Sequence, residues 1–299
     1  MSKKKGQYIL SAIIILVVIV SLGIGRPTST ILWQLRMPRV IAAILIGAML
    51  AWSALIFQTT LRANYLDGSM LGLANGSEFA VATSLVLLPN LAPYRVLLGA
   101  FFGILVVSIL RYSVLSIFKQ PLLLILVGLS LAMFFNAATT IITANNGFIG
   151  KSLSTITWID VVSLFIIMLI GWLIWCWYSD KLTYYAIPSL QGKQLGFNES
   201  KVSFWLQIMA AMWLGAVTAI IGTVFFVGLV WVQIFTLTKA LSLKERLGLT
   251  TLTGILLTVL ADLLAHWVMA PDELPTNAVL LIISAPLLIW IMVRWRNEI

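Results

Sequence analysis

Long runs of apolar residues alternate with short polar segments along the whole chain. The first run extends from Tyr8 to Gly23. Further runs follow it, beginning near Val40, Ser69, Val96, Pro121, Ile159, Val202, Thr223, Leu249 and Asn277. A helix needs about 20 apolar residues to cross the hydrocarbon core, and lipid leaves no water for unpaired backbone groups. The pattern therefore predicts an all-α, polytopic transmembrane protein with about ten spans.

Two of these spans are weaker than the others. The third contains Glu78, and the eighth, from Thr223 to Thr238, is short. The loops between the runs are also short, so we expect residues 1–299 to form a single transmembrane domain. The runs are too long and too uniformly apolar to be the alternating strands of a membrane barrel.

Composition agrees with a membrane protein. Of the 299 residues, 61% are hydrophobic and 10% are charged, whereas a soluble domain carries about 25% charged residues. The net charge of +9 comes from basic residues scattered between apolar runs, which predicts contact with membrane lipid and no nucleic-acid partner. Because there is one cysteine and one histidine, neither a disulfide framework nor a Cys/His metal cluster is expected, and no cofactor is predicted.

The distribution of Lys and Arg predicts the orientation of the spans. If the N-terminus is cytoplasmic, 14 of the 19 basic residues lie inside and 5 lie outside. Cytoplasmic loops carry such an excess, so both termini are expected in the cytoplasm. The N-terminal segment resembles a signal peptide, but no small-residue cleavage site follows before Arg26. This favours a retained first span.

Two segments with charged residues are candidate binding surfaces: the outer start of span two and one loop on the inside. Arg36 and Arg39 lie three residues apart at the outer start of span two. They can point to the same side and bind carboxylates of an acidic partner, although anchoring in lipid headgroups is an alternative. On the inside, the polar loop from Asp180 to Lys201 predicts one or two short helices. It is either a docking surface for a soluble partner or an ordinary basic loop.

Two acidic residues fall inside apolar runs, where a carboxylate is by default a functional candidate. Glu78 follows Asn75-Gly76-Ser77, which suggests a broken helix that lines a cavity. Asp262 and His266 are four residues apart on one helix face, and an interhelical hydrogen bond near the outer end of the span is favoured for Asp262. A proton relay would need further such groups across the bilayer.

Motifs for catalysis are missing from the sequence. It contains no H-E-x-x-H, no P-loop and no G-x-S-x-G. The chain is therefore predicted not to be an enzyme. If ATP drives it, another chain must hydrolyse the ATP.

Several short motifs, in order, resemble one family over about 260 residues. The outer segment Leu35-Arg36-Met37-Pro38-Arg39, with Gly47, Leu50-Ala51, Ser53 and Gln58, is similar to R-x-P-R, G-x-x-L-A-x-S-G-x-x-x-Q. The later matches are Arg62, Asn64 and Leu71-Gly72, then the loop Leu190 to Gly196, Phe226-Val227-Gly228-Leu229-Val230, Ala261-Asp262 and Glu273-Leu274-Pro275. These resemble the permease subunits of ABC importers for iron-siderophores, haem and vitamin B12, the FecCD type.

The resemblance implies a ten-helix importer permease fold in the cytoplasmic membrane of a bacterium. It implies as partners two cytoplasmic ATPase subunits, an extracytoplasmic substrate-binding protein, and a second permease copy or a paralogous permease. The site residues that it implies fall into three groups. Docking of the binding protein falls on Arg36, Arg39 and His266. Coupling to the ATPase falls on Ser189, Leu190, Gln191, Gly192, Lys193, Gln194, Leu195 and Gly196. The pathway or the helix packing involves Gly47, Gln58, Asn64, Gly72, Glu78, Gly228 and Asp262.

The chain departs from the family pattern at several of these positions. His266 stands where the family usually has an arginine, which would make that docking contact weaker and dependent on pH. The stretch Asn64 to Ser69 lacks the family's prolines. We expect translocation of a ferric siderophore, with haem or a corrinoid as the alternative. A secondary transporter is a less favoured class, since it would need a coupling-ion site at mid-membrane, for which Glu78 is the one candidate.

Overall fold

The computed structural model describes residues 3–23, 29–63, 66–113, 121–146, 153–186, 191, 194, 197–236, 243–268 and 273–296. These residues are almost entirely helical and include no β-strand. The main helices are α1 (Lys3–Gly23), α2 (Met37–Thr60), α3 (Leu73–Leu87), α4 (Arg95–Ser113), α5 (Pro121–Asn146), α6 (Trp158–Tyr178), α7 (Glu199–Ile221), α8 (Val227–Thr236), α9 (Leu243–Trp267) and α10 (Thr276–Arg296). The all-α architecture predicted from the apolar runs is therefore confirmed, with each run corresponding to one helix.

The helices differ in length, which bears on the expected number of spans. Six of the described helices are long and apolar enough to cross a bilayer by length and composition. The apolar parts of α1, α3 and α10 are shorter, and α8 has 10 residues. The two spans that hydropathy marks as weak, the third and the eighth, are thus short helices.

Short helical turns connect several of the long helices. A π-helical turn, Leu32–Arg36, runs directly into α2, and 3-10 turns cover Gly68–Leu71, Pro89–Tyr94, Leu153–Thr155 and Asp180–Ala186. The start of α6 is fixed by a capping box in which Asp160 accepts a hydrogen bond from the backbone N–H of Thr157 at 3.0 Å. Asn198 caps α7 by accepting from the N–H of Lys201 at 3.1 Å.

Helices α2 and α7 form the centre of the bundle. Helix α7 packs against α2, α3, α4 and α6, and α2 packs against α7, α8 and α9. In the most apolar 18-residue stretch of α7, 83% is buried within the protein, whereas the corresponding share for α5 is 17%. The middle of the bundle is therefore filled by side chains of its own helices, and α5 lies at its edge.

Small residues allow the central helices to approach closely. A Cβ atom at Gly215 of α7 would overlap the backbone carbonyl of Gly99 in α4, and the reverse also holds. On the other side of the bundle, a Cβ at Gly47 of α2 would lie 2.6 Å from the carbonyl oxygen of Gly254 in α9. Because lipid provides little hydrophobic driving force between helices, such close packing supplies much of the association energy.

Replacing Gly215 with alanine tests this packing. The new methyl group meets a backbone carbonyl that cannot rotate away, so we expect a destabilisation of about 1–3 kcal/mol. The measurement is the midpoint of thermal unfolding of the detergent-solubilised protein. Gly23→Ala is the matched control, because nothing lies within 4 Å of a Cβ at that position. Equal midpoints for the two variants would contradict the packing argument.

Candidate functional site

The predicted docking residues surround one small cavity at the start of α2. Arg36, Arg39 and His266 line it, together with Ser21 and Asp262, and its volume is about 30 Å³. The π-helical turn before α2 brings Arg36 to the end of α1, and Arg39 lies on the first turn of α2. The sequence therefore identified three residues that the fold places at one mouth.

The two arginines bind different elements within the chain. Arg36 donates from Nη1 to the carbonyl oxygen of Leu22 at 3.1 Å, so it satisfies a free carbonyl in the last turn of α1. Arg39 turns the other way and donates from Nε to both carboxylate oxygens of Asp262, at 2.7 and 2.9 Å. The interhelical bond expected of Asp262 is thus present, and its partner is Arg39.

Arg39 also binds a second carboxylate. Its Nη1 lies 2.9 Å from each carboxylate oxygen of Glu273, in the segment before α10. The side chains of Arg39 and Asp262 are 12% and 3% exposed. One guanidinium therefore joins α2, α9 and the start of α10 in a largely buried ion pair, which leaves it little surface to offer a partner.

Glu273 links this pair to His266. The Nδ1 atom of His266 lies 2.7 Å from Oε1 of Glu273, and the His266 side chain is 42% exposed. Burial raises the pKa of Glu273, but the charge of Arg39 and the hydrogen bonds from His266 and Arg39 outweigh it and hold that pKa below its usual value. Glu273 is therefore a carboxylate at neutral pH, and His266 is the most exposed member of the cluster.

The loop from Asp180 to Lys201 is anchored to the bundle at one end. Arg62, just after α2, pairs with Glu199 at 3.0 Å and lies over the ring of Tyr185 at 5.8 Å from its centroid. The Tyr185 hydroxyl donates to the carbonyl of Glu199 at 3.2 Å, and burial raises its pKa well above the usual value. Tyr184 stacks on Phe197 at 5.2 Å between ring centroids. These contacts fix the loop to the ends of α2 and α7.

The middle of the loop lies mostly outside the described residues. Of the eight predicted coupling residues, Gln191 and Gln194 are described, and both are helical and exposed. The 3-10 turn Asp180–Ala186 and these helical positions agree with the short helices predicted for the loop. The others, together with the predicted pathway residue Asn64, lie outside the described part: Ser189, Leu190, Gly192, Lys193, Leu195 and Gly196.

Glu78 stabilises a break in the helical backbone. Its Oε2 accepts from the backbone N–H of Thr223 at 3.0 Å, in the non-helical segment between α7 and α8. Ser69 lies in the break before α3, and its Oγ accepts from the N–H of Phe226 at 3.5 Å. Two interrupted segments therefore meet inside the bundle. The half-buried carboxylate of Glu78 therefore has a structural role at this position.

The remaining predicted pathway or packing residues are in the interior. Gly72 has φ of +73° and starts α3, a conformation that favours glycine. A Cβ at Gly228 would lie 2.7 Å from Cβ of Ala54. The Gln58 side chain is 3% exposed, and its two amide atoms have no hydrogen-bond partner among the described residues. Gly72 is thus explained by its backbone conformation and Gly228 by close packing. The contacts of the described residues do not assign a role to Gln58.

Two arginines of α4 make interhelical contacts that were not among the predicted sites. Arg95 binds Asp160 through two hydrogen bonds of 3.0 and 2.8 Å, which joins α4 to α6. Arg111 of α4 donates to Gln207 at 2.7 Å and to Ser203 at 2.9 Å, both on α7. For the Arg95–Asp160 contact, the sequence offers one signal. The three-residue spacing of Thr157 and Asp160 is typical of a capping box, which places Asp160 in the first turn of a helix. Nothing local in the sequence indicates the partners of Arg111.

The described helices form a polytopic bundle, and comparison with known families assigns its class. Residues 6–294 match the FecCD transport family, and the chain belongs to this family. It is thus a permease of the ABC importer class, as its motifs predicted, and such a permease works with an ATPase and a substrate-binding protein.

Relatives with assigned roles are found in Staphylococcus aureus. A protein of strain Newman assigned as a heme-iron transport system permease, IsdF, is 29% identical over 269 residues, which cover 89% of this chain and 83% of the relative. The IsdF protein of strain NCTC 8325 / PS 47 matches to the same extent.

Solved structures show the same fold. A chain of a protein assigned as a metal-chelate type ABC transporter, in an inward-facing conformation, matches with a TM-score of 0.82 and 22% identity. The match covers 97% of this chain and 99% of that one. PsaBC from Streptococcus pneumoniae in complex with Fab matches with a TM-score of 0.61 and 13% identity, over 93% and 95% of the two chains.

The ion pair at the outer mouth can be tested by a double-mutant cycle. Arg39→Gln leaves Asp262 without a counter-charge, and Asp262→Asn removes the main partner of Arg39. Arg39→Gln is expected to cost about 3–5 kcal/mol, because it leaves the buried Asp262 without its counter-charge. Asp262→Asn should cost less, because Arg39 keeps its ion pair with Glu273. The double variant should cost clearly less than the sum of the two. Thermal unfolding midpoints in detergent measure all three.

Arg36→Gln is the control for that cycle. It removes the hydrogen bonds from Arg36 to the Ser21 and Leu22 carbonyls at the end of α1, which is expected to cost about 1 kcal/mol. Additive losses for Arg39→Gln and Asp262→Asn would show that the two side chains do not stabilise each other.

Proposed function

We propose that the chain is the permease subunit of an importer that moves an iron chelate across the cytoplasmic membrane. The observation that carries this proposal is the family match over residues 6–294, together with relatives assigned to heme-iron transport. Those relatives favour haem over the ferric siderophore that the sequence analysis put first. Both are large chelates of iron, so one protein architecture serves for either.

In the proposed assembly, two permease chains form the membrane part, and two ATPase subunits bind beneath them. The second permease is a copy of this chain or a paralogue. Helix α5 favours the presence of a partner at the edge of the bundle, because only 17% of its most apolar 18-residue stretch is buried within the chain. Its exposed side chains include Met133 and Phe134, at 68% and 66% exposure. A second permease would cover such an apolar face and enclose the pathway between the two chains.

The binding protein is proposed to dock on the outer mouth. Arg36 forms no ion pair with the described residues, so its charge remains for a carboxylate of the partner. Arg39 is held by Asp262 and Glu273 and positions the mouth. His266 is exposed beside Glu273 and completes the contact surface. Arg36 therefore has the largest share of the attraction in this proposal.

The inner loop is proposed to transmit movement from the ATPase. Gln191 and Gln194 are exposed, and the loop is tied to the ends of α2 and α7 by the Arg62–Glu199 pair and by Tyr185. A push on the loop would thus reach the two central helices. Rocking of the two permeases would then expose the pathway to each side in turn.

A secondary transporter has less support. Its coupling ion would need Glu78, yet Oε2 of that residue accepts the backbone N–H of Thr223 at 3.0 Å. Protonating or binding an ion at this carboxylate would compete with the capping of a broken helix inside the bundle.

Uptake into proteoliposomes tests the proposal. The chain is reconstituted with its second permease, ATPase and binding protein, and uptake of haem and of a ferric siderophore is measured. We expect uptake of an iron chelate that needs ATP, with haem preferred. Uptake without ATP would overturn the assignment in favour of an ion-coupled transporter, and uptake of the siderophore alone would reverse the substrate preference.

Charge reversal at Arg36 tests the docking surface. Arg36→Glu is expected to weaken docking of the binding protein about tenfold, because an attraction at the interface becomes a repulsion. Docking is measured by surface plasmon resonance on the reconstituted permease. Arg36→Lys keeps the charge and should retain most of the affinity. Unchanged docking by Arg36→Glu, with an unfolding midpoint close to that of the unaltered protein, would show that the binding protein docks elsewhere.

A further inference from the structure

The inner ends of α4 and α7 line an open cavity beside the end of the Asp180–Lys201 loop. Its volume is about 770 Å³. It is lined by Ser108, Ile109, Arg111, Tyr112, Asn198, Ser200, Lys201 and Phe204. The positive-inside orientation places these residues at the cytoplasmic end of the bundle, so the cavity opens near the headgroups of the inner leaflet.

One side of the cavity is cationic. Arg111 is held by α7, since its Nη2 donates to the Ser200 carbonyl at 2.6 Å and to Ser203 Oγ at 2.9 Å. Lys201 is exposed and forms no ion pair with the described residues. The acid in the same turn of α7, Glu199, is paired with Arg62 at 3.0 Å. The side chains of Arg111 and Lys201 therefore bring two positive charges to the lining of the cavity.

The other side of the cavity is apolar and faces outward. Ile109 and Tyr112 of α4 are 54% and 88% exposed, and Phe204 of α7 borders them. On α4, these two residues continue an exposed stripe that also contains Leu97 and Phe101. At 100° per residue, the four positions lie on one face of the helix. A long exposed apolar stripe on a membrane helix faces acyl chains, so the cavity opens at its lower end onto lipid.

We propose that this cavity binds an anionic phospholipid of the inner leaflet. The phosphate would lie between Arg111 and Lys201, near the hydroxyl of Ser200, and an acyl chain would run along Ile109 toward Phe101. Basic pockets between transmembrane helices on the cytoplasmic side bind anionic headgroups in this way. A soluble anion would use the cationic side alone, whereas the lipid uses both sides. The inference rests on the membrane placement of α4 and on the proposed orientation.

Native mass spectrometry of the purified full-length chain in detergent tests the site. Phosphatidylglycerol is titrated against phosphatidylcholine with the same acyl chains, and glycerol 3-phosphate serves as the soluble headgroup. We expect phosphatidylglycerol to bind about 30-fold more tightly than phosphatidylcholine, since an anionic headgroup gains about 1 kcal/mol from each of the two nearby cations. Glycerol 3-phosphate should bind far more weakly than the lipid.

Two variants locate the binding in the cavity. Lys201→Glu should remove the preference for phosphatidylglycerol, and an acidic residue in the first turn of α7 is compatible with the helix. Ser108→Trp fills the cavity without changing charge and should weaken the lipid to a similar extent. Arg294→Glu is the matched control, because it makes the same charge change at the inner end of α10, which packs against α8 and α9. It should leave the preference intact.

Three results would overturn the proposal. Equal losses for Lys201→Glu and Arg294→Glu would mean a diffuse attraction to the protein surface. Binding of glycerol 3-phosphate as tight as that of the lipid would assign the site to a soluble phosphate. Unchanged binding of phosphatidylglycerol by Ser108→Trp would place the lipid outside the cavity. None of these readouts depends on uptake, so the lipid site and the transport function can fail independently.

Discussion

Hydrocarbon offers no hydrogen-bond partner to an open backbone, so every interruption of a membrane helix must be satisfied from within the protein. This chain has interruptions before α3 and before α8, and they lie against each other. Glu78 accepts the N–H of Thr223, and Ser69 accepts the N–H of Phe226. At the end of α1, Arg36 satisfies the carbonyl of Leu22. The first role of these polar side chains is thus to form hydrogen bonds with backbone groups that would otherwise lack a partner.

The same constraint decides what the sequence could predict. Apolar runs are a direct consequence of lipid, so the number and type of the helices follow from hydropathy alone. The start of α8 does not. The run begins at Thr223, but α8 begins at Val227, after Gly222 and Phe226 with φ of +78° and +61°. The residues between Gly222 and Val227 are as apolar as those of the helix that follows. Hydropathy therefore does not distinguish this non-helical segment from a helical one.

Partners distant in sequence were equally inaccessible to local patterns. Arg39 and Asp262 are 223 residues apart, and each was identified as a charged residue in an unusual place. The orientation rule predicts that both lie near the outer surface. Their pairing depends on α2 packing against α9, where Gly47 and Gly254 let the backbones meet. The glycines and the charges are separate signals in the sequence, and the fold joins them in one interface.

The buried pair also changes how the outer mouth should work. A guanidinium bound to two carboxylates has already lost most of its water, and releasing it to a partner would leave Asp262 unpaired inside the bundle. Arg39 is therefore better suited to fix the geometry of α2, α9 and α10 than to exchange partners in each transport cycle. Arg36 gives up only hydrogen bonds to two carbonyls at the end of α1, and His266 is already exposed. A docking surface built on these two residues can engage and release the binding protein while the core of the mouth keeps its shape.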